Sequence, residues 1–209
     1  MHKPVLVIAC GALAREIAEL RRSHGWQHLR LRCLDAKLHQ RPEEIPGRVR
    51  ETIREARADY ERIFVAYADC GTGGALDRVL ADEGIERLPG AHCYQFFAGQ
   101  RRFSLLSAAE PGTFYLTDFL VRHFDRLVIE PLRLDSHPEL RDCWFGNYTR
   151  LVYLSQTSDA GLLQAAQEAA ERLVLAFEHV HCGLGELESE LAGRFSSWGD
   201  DQENLRLLA

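Results

Sequence analysis

Three cysteines and one histidine are the residues of this chain best suited to chemistry. Cys10 and Cys70 each stand before a glycine, and His92 lies directly before Cys93. The three thiols are 60 and 23 residues apart along the chain. Thiolate sulfur and imidazole nitrogen are ligands that zinc and other soft-ligand transition metals prefer. The sequence therefore predicts a metal site formed by Cys10, Cys70, His92 and Cys93.

The same residues allow two other interpretations. Cys70 or Cys93 can act as a metal-free nucleophile, with the thiol pKa lowered by a helix N-terminus and by His92. Free cysteines also pack as small hydrophobic residues, and the chain has no close Cys-x-x-Cys pair of the kind that zinc ribbons contain. The catalytic residues are therefore not assigned, and Cys70, His92 and Cys93 are the candidates.

The segments that precede these residues predict the elements that position them. Strands are predicted at 1–9, 29–34, 63–67 and 85–88, with helices at 11–24, 47–59 and 75–83. Right-handed crossovers between parallel strands bring the carboxyl ends of the strands to one edge, where ligands bind. We predict an α/β fold with three layers, a mostly parallel sheet of about six strands with helices on both faces, and an aromatic-rich helical insertion.

The insertion is predicted where this alternation breaks, at about 94–149. Aromatic-rich segments at 94–98, 114–127 and 138–148 favour helices. Strands return at 151–154 and 173–180, and helices are predicted at 160–172 and 185–194. The prediction is a single α/β domain over residues 1–195, followed by a loosely held polar tail at 196–209.

A glycine-rich turn after the strand at 63–67 is the second candidate site. Such turns expose backbone N–H groups that bind anions. The turn matches neither the Walker loop nor the dinucleotide fingerprint, and a tight turn with Thr72 as helix cap explains it equally well. The predicted anion- or substrate-binding residues are Asp69, Gly71, Thr72, Gly73, Gly74 and, at the end of another strand, Gln156.

Composition excludes several classes of protein. The chain has 209 residues, 46% of them hydrophobic, and a formal net charge of −6, which argues against nucleic acid as a partner. No apolar run is long enough for a signal peptide or a membrane span, so we expect a cytoplasmic protein that acts on a small-molecule substrate. The six cysteines are then expected to be reduced.

Several motifs together resemble one protein family, the bacterial and archaeal domain of unknown function 1638. The motifs are Ala9-Cys10-Gly11-Ala12-Leu13, the segments at 67–74 and 89–94, Phe114-Tyr115-Leu116-Thr117-Asp118-Phe119, His137-Pro138-Glu139-Leu140 and Gly185-Glu186-Leu187-Glu188. The resemblance runs from residue 3 to about 195 and supports the cysteine and histidine site.

The resemblance implies a role in one-carbon metabolism, by association with corrinoid-dependent methyltransferases that act on methylamines and betaines. On that basis we expect a metal-dependent enzyme, with methyl transfer as its reaction, or an accessory protein of methyl metabolism. The resemblance likewise implies association with a corrinoid or folate, and it implies corrinoid methyltransferase proteins as partners. The alternatives that stay open are a metal-free thiol enzyme and a non-catalytic docking partner of the methyltransferase system.

Overall fold

The computed structural model describes residues 4–207, with the side chains at 197 and 199–207 left out of the description. Internal contacts divide the chain into two compact units. The first unit comprises the chain up to Cys93 and from Leu187 onward, and the second is Tyr94–Glu186. Each unit contains its own three-stranded sheet, so each has its own sheet edge at which side chains can meet.

The sheet of the first unit has the order β2-β1-β3. Its strands are β1 (Val5–Cys10), β2 (Leu29–Leu34) and β3 (Arg62–Ala66), all parallel. Every residue of β1 is buried, as expected for a central strand of a covered parallel sheet. Because β1 is central, its last residue, Cys10, lies in the middle of the carboxyl edge.

Three helices alternate with these strands. They are α1 (Ala14–Ser23), α2 (Ile45–Ala56) and α3 (Ala75–Glu83), with single 3-10 turns at Gly11–Leu13, Ala36–Gln40 and Pro42–Glu44. Helix α3 begins after Gly74 and ends at Gly84, whose φ angles of 78° and 65° are left-handed. Glycine adopts this conformation without a steric cost, so it fixes both ends of the helix.

Helix α9 (Glu186–Leu207) completes the first unit. The fully buried Phe195 contacts Trp26 and Phe64 edge-on, at ring-centroid distances of 5.4 and 5.7 Å. Edge-to-face contacts between aromatic rings contribute to stability beyond the area that they bury. The chain therefore closes the core of its first unit only when it returns from the second.

The second unit has a parallel sheet of order β4-β5-β6. Its strands are β4 (Thr113–Thr117), β5 (Arg150–Ser155) and β6 (Ala176–His181). The helices are α4 (Cys93–Ala98), α5 (Gln100–Ala109), α6 (Asp118–Arg122), α7 (Arg141–Phe145) and α8 (Ala160–Leu173), with further helical turns at Asp125–Ile129 and Pro138–Leu140. Strand β5 is central and supplies fully buried side chains to the core.

The predicted α/β class with six parallel strands is confirmed in the described residues, but the strands form two sheets of three. The helix predicted at 114–127 is wrong at its start. There the aromatic run pairs with β5 as strand β4, because buried aromatic side chains suit a pleated surface. The aromatic-rich segment at 94–149 is therefore not purely helical. The strand predicted at 85–88 is reduced to one parallel bridge, between Val65 and Arg87.

Both ends of the chain also bear on the predictions. The first strand was predicted from residue 1, but positions 1–3 lie outside the described residues, and β1 begins at Val5. The polar segment at 196–209 continues α9 as far as Leu207, and positions 208 and 209 are again outside the description. Within the described range, no helix combines the length and apolar character needed to cross a membrane.

Candidate functional site

Cys10 lies at the centre of the carboxyl edge of the first sheet. Its side chain is fully buried, and its Sγ accepts a hydrogen bond from the Ala12 amide at 3.4 Å, which caps the 3-10 turn after β1. The next residue must be glycine, because a Cβ at Gly11 would lie 2.9 Å from the Leu34 carbonyl oxygen. The Cys-Gly pair therefore lets the chain turn tightly over the end of β2.

His39 brings an imidazole to Cys10 from the 3-10 turn that follows β2. The turn is capped by Asp35, whose Oδ1 accepts from the Lys37 amide at 2.9 Å. His39 Nδ1 lies 3.7 Å from Cys10 Sγ. The residue as a whole is exposed to solvent, yet desolvation of its ring lowers the imidazole pKa. Hydrogen bonds to Cys10 and Cys70 outweigh this effect and raise the pKa of His39 to about 10. In the metal-free protein the imidazole is therefore a cation beside the sulfurs of Cys10 and Cys70.

Cys70 and Cys93 meet because two loops are joined by backbone hydrogen bonds. The Asp69 amide donates to Gly90 O at 3.0 Å, and the Cys70 amide donates to Ala91 O at 2.8 Å. Cys70 has a left-handed φ of 51°, which is uncommon for a residue with a side chain. The Sγ atoms of Cys70 and Cys93 are 3.4 Å apart, and both thiols are free.

The two thiols are electrostatically unequal. A hydrogen bond from Cys93 and, as a smaller contribution, the nearby His39 lower the pKa of Cys70 to about 5 despite the burial of this thiol. The hydrogen bond to Cys70 and burial raise the pKa of Cys93 well above its usual value. The metal-free pair therefore holds one thiolate, on Cys70, which a thiol on Cys93 stabilises.

His39, Cys70 and Cys93 form the group of possible metal ligands in the described part of the chain. One ligand atom from each lies within 4.8 Å of those of the other two. Zinc–sulfur bonds of about 2.3 Å in a tetrahedron place two sulfurs about 3.8 Å apart. The observed Sγ–Sγ distance of 3.4 Å therefore needs only a small adjustment to hold such an ion.

The structure changes the membership of the predicted site. Cys70 and Cys93 lie together, whereas His92 is outside the ligand group, and metal binding by the predicted residues stays a prediction. Cys10 is adjacent to His39 but is likewise outside the group. His39 was missed because it lies in a segment with the polar, proline-containing pattern of a loop. The cysteines were selected because they follow the carboxyl ends of strands, and the same criterion would have selected His39, which follows strand β2.

Tyr67 adds a polar group that has no partner. The residue is fully buried, and no hydrogen-bond partner of acceptable geometry meets its hydroxyl. Burial and the nearby thiols of Cys10, Cys93 and Cys70 raise the pKa of the phenol, and Tyr67 follows β3 at the same carboxyl edge as these cysteines. A buried hydroxyl without a partner requires an explanation, and a bound ion or ligand is one.

The glycine-rich turn is occupied by its own carboxylate. Asp69 accepts from Thr72 Oγ1 at 2.6 Å, from the Gly74 amide at 2.9 Å and from the Gly73 amide at 3.1 Å. Burial raises the Asp69 pKa, but these hydrogen bonds outweigh it and lower the pKa. The amides of Gly73 and Gly74 are engaged within the turn, and anion binding by the turn residues, Gly71 among them, stays a prediction.

Gln156 lies in the second unit, where it supports a buried carboxylate. Its side chain accepts from the Asp118 amide at 2.8 Å and donates to Leu154 O at 2.7 Å. Asp118, only 1% exposed, accepts four hydrogen bonds, from Tyr153 Oη, the Gln156 amide, and the amide and hydroxyl of Thr157. Substrate contact by Gln156 stays a prediction, and its observed bonds are structural.

A second polar cluster follows at the same edge of this sheet. The buried Ser155 hydroxyl lies 2.9 Å from His179 Nε2 and 3.0 Å from His181 Nδ1. The alternation of strand β6 places both imidazoles on one face. Since a hydroxyl has a single proton, it can donate to no more than one of the two imidazoles, and at least one imidazole donates to it.

Comparison with known proteins gives one result. No curated protein and no solved structure matches this chain. A family model described as "Protein of unknown function (DUF1638)" matches residues 33–191, a range that includes all three members of the ligand group. The match covers more than half of the chain, as the resemblance predicted, and the protein belongs to this family.

Proposed function

We propose that this protein binds zinc or a similar soft-ligand metal through His39, Cys70 and Cys93. One observation carries the proposal: a ligand atom from each of these side chains lies within 4.8 Å of the other two. The three come from segments that are distant in sequence but meet at the carboxyl edge of one parallel sheet. That edge is where folds of this class bind their ligands.

The ligand set is typical of a catalytic site. Structural zinc sites use four protein ligands, whereas catalytic sites use three and keep one position for a substrate or water. Two cysteines and one histidine are a known catalytic combination. Cys10 accepts from the Ala12 amide and contacts His39 Nδ1, so it is suited to orient the imidazole.

Charge also favours a divalent ion. Two thiolates and one neutral imidazole neutralise a charge of +2, which stabilises an ion beside the buried Cys10 and Cys70. The bound metal would act as a Lewis acid and lower the pKa of a ligand that it holds. The protein supplies the positions of the donor atoms.

Methyl transfer is the reaction that we propose for this site on the basis of the family resemblance. A thiol held by a metal loses its proton and becomes a nucleophile toward a methyl group. Such a step forms a sulfur–carbon bond and breaks the bond between the methyl group and its donor, which keeps the electron pair. A methylated corrinoid is the donor class that the resemblance implies, and loss of its visible spectrum in the presence of protein and thiol tests this role.

A metal-free thiol enzyme is the second candidate, and one observation favours it. Cys70 has a pKa of about 5 and lies beside a cationic His39. Reactive cysteines have thiolates stabilised in this way. In this alternative Cys70 is the nucleophile, and Cys93 stabilises its thiolate by a hydrogen bond.

Metal analysis separates the two candidates. The protein is purified without oxygen, and bound metals are measured by mass spectrometry for the wild type, Cys70→Ser and Cys93→Ser. We expect about one metal per chain in the wild type and a loss of most of it in both variants. Cys143→Ser is the matched control, because Cys143 is an exposed free cysteine in the second unit.

Each outcome has a definite meaning. Metal retained by both Cys70→Ser and Cys93→Ser, or equal loss in Cys143→Ser, would contradict the metal site. A wild-type protein that takes up no zinc on reconstitution, and whose Cys70 reacts selectively with an alkylating agent at neutral pH, would favour the thiol enzyme.

A further inference from the structure

The unexplained group at the candidate site is the hydroxyl of Tyr67. It is fully buried, no partner meets it with hydrogen-bond geometry, and its residue follows β3 at the carboxyl edge that also holds the cysteines of the site. A polar group buried without a partner loses its hydration and gains nothing in exchange. A ligand that binds beside the hydroxyl would supply the partner that it lacks.

The sulfur atoms of the candidate site already have contacts of their own. Cys10 Sγ accepts from the Ala12 amide and contacts His39, and the sulfurs of Cys70 and Cys93 contact each other. The nearby Cys10 thiol does not reach the hydroxyl with hydrogen-bond geometry. A neutral phenol is a good donor, so the missing partner must be an acceptor.

We propose that Tyr67 donates a hydrogen bond to a small monoanion, which binds through one oxygen or sulfur atom at the fourth position of the metal. The inference rests on the proposed metal site and adds the class of its ligand. With three protein ligands, a tetrahedral ion takes one more donor atom. A metal-bound donor atom that accepts a hydrogen bond from a protonated phenol is stabilised when it carries negative charge.

The charge balance of the site favours a ligand with one negative charge over a ligand with two or more. His39, Cys70 and Cys93 bring two negative charges to a divalent ion, so the loaded group is neutral. One further negative charge is held by the metal and by the phenol, whereas a second would have no counterion within this group. Binding of a thiol breaks its S–H bond, forms a metal–sulfur bond and releases the proton to the buffer.

The test uses the cobalt-substituted full-length protein, in which ligand binding is followed by visible absorption. Wild type and Tyr67→Phe are each titrated with 2-mercaptoethanol and, separately, with acetate, in the absence of oxygen. We expect equal cobalt binding by both proteins and an affinity for the favoured anion about tenfold weaker in Tyr67→Phe, as for the loss of a hydrogen bond to a charged group. The two probes distinguish a thiolate from an oxyanion.

Tyr60→Phe is the matched control. Tyr60 precedes β3 and Tyr67 follows it, so the two tyrosines lie at opposite edges of the sheet of the first unit. This variant should bind both probes as the wild type does. A second readout is the melting temperature of the metal-free protein, which Tyr67→Phe should not lower, because it removes a hydroxyl that has no partner.

Two results would overturn the inference alone. One is equal affinity of the wild type and Tyr67→Phe for both probes, and the other is a lower melting temperature of metal-free Tyr67→Phe, which would show that the hydroxyl has a protein partner. Absence of any cobalt spectrum in the wild type would instead overturn the metal site, and the present inference with it.

Discussion

Replacement of His39 by alanine tests the part of the site that the structure alone supplied. His39 belongs to the ligand group and contacts Cys10, whereas His92 lies outside the group. We therefore expect His39→Ala to weaken zinc binding strongly, and His92→Ala to leave it nearly unchanged. The two variants are a matched pair, since each removes one imidazole.

The magnitude follows from the number of ligands. A zinc site with four protein ligands binds with about 10–16 kcal/mol, or about 2.5–4 kcal/mol for each ligand. Water takes the place of a lost imidazole and recovers part of this, so the net loss for His39→Ala should be about 2–3 kcal/mol. At 1.4 kcal/mol for each factor of ten, the dissociation constant should rise about 30- to 150-fold.

The assay is a competition titration with a chromogenic zinc chelator at neutral pH, in the absence of oxygen and with thiols fully reduced. Circular dichroism checks that both variants keep the fold. The reasoning is refuted if His39→Ala binds zinc within about threefold of the wild type, or if His92→Ala loses as much affinity as His39→Ala.

Three further predictions concern protons, thiol reactivity and stability. Metal binding near neutral pH should release about two protons, because His39 and Cys93 have raised pKa values and hold protons in the metal-free protein, whereas Cys70 does not. The affinity for the metal should therefore rise with pH. If almost no protons are released when metal is added in weak buffer, this prediction is contradicted. In the metal-free protein the alkylation rate of Cys70 should rise as pH increases through about 5 and be level by neutral pH. A pH–rate profile with its midpoint above about 8, as for an ordinary thiol, would contradict this prediction. Asp118→Ala should lower the free energy of unfolding by about 3–5 kcal/mol, because two buried and two part-buried donors lose their acceptor. A loss below about 1 kcal/mol in urea denaturation, or an equal loss for the exposed Asp142→Ala, would refute it.

The sequence predicted some elements well because their signals are local. Helix α3 was predicted at 75–83 and is observed at Ala75–Glu83, since glycines fix both of its ends. Strand β4 was wrongly predicted as part of a helix, because its aromatic residues are compatible with either element until their partner in β5 is known. The number of sheets was equally beyond local reasoning, since each pairing joins residues far apart in the chain.

The sequence by itself determined that Cys10, Cys70 and Cys93 lie at the carboxyl ends of parallel strands or in the loops beyond them, because apolar runs and glycines mark these places. Only the tertiary structure decided which imidazole joins them. His92 is next to Cys93 in the chain but outside the ligand group, whereas His39 reaches it from the turn after β2. The physical reason is that a turn's capping and the hydrogen bonds between loops set the direction of a side chain, and these are contacts that spacing along the sequence does not encode.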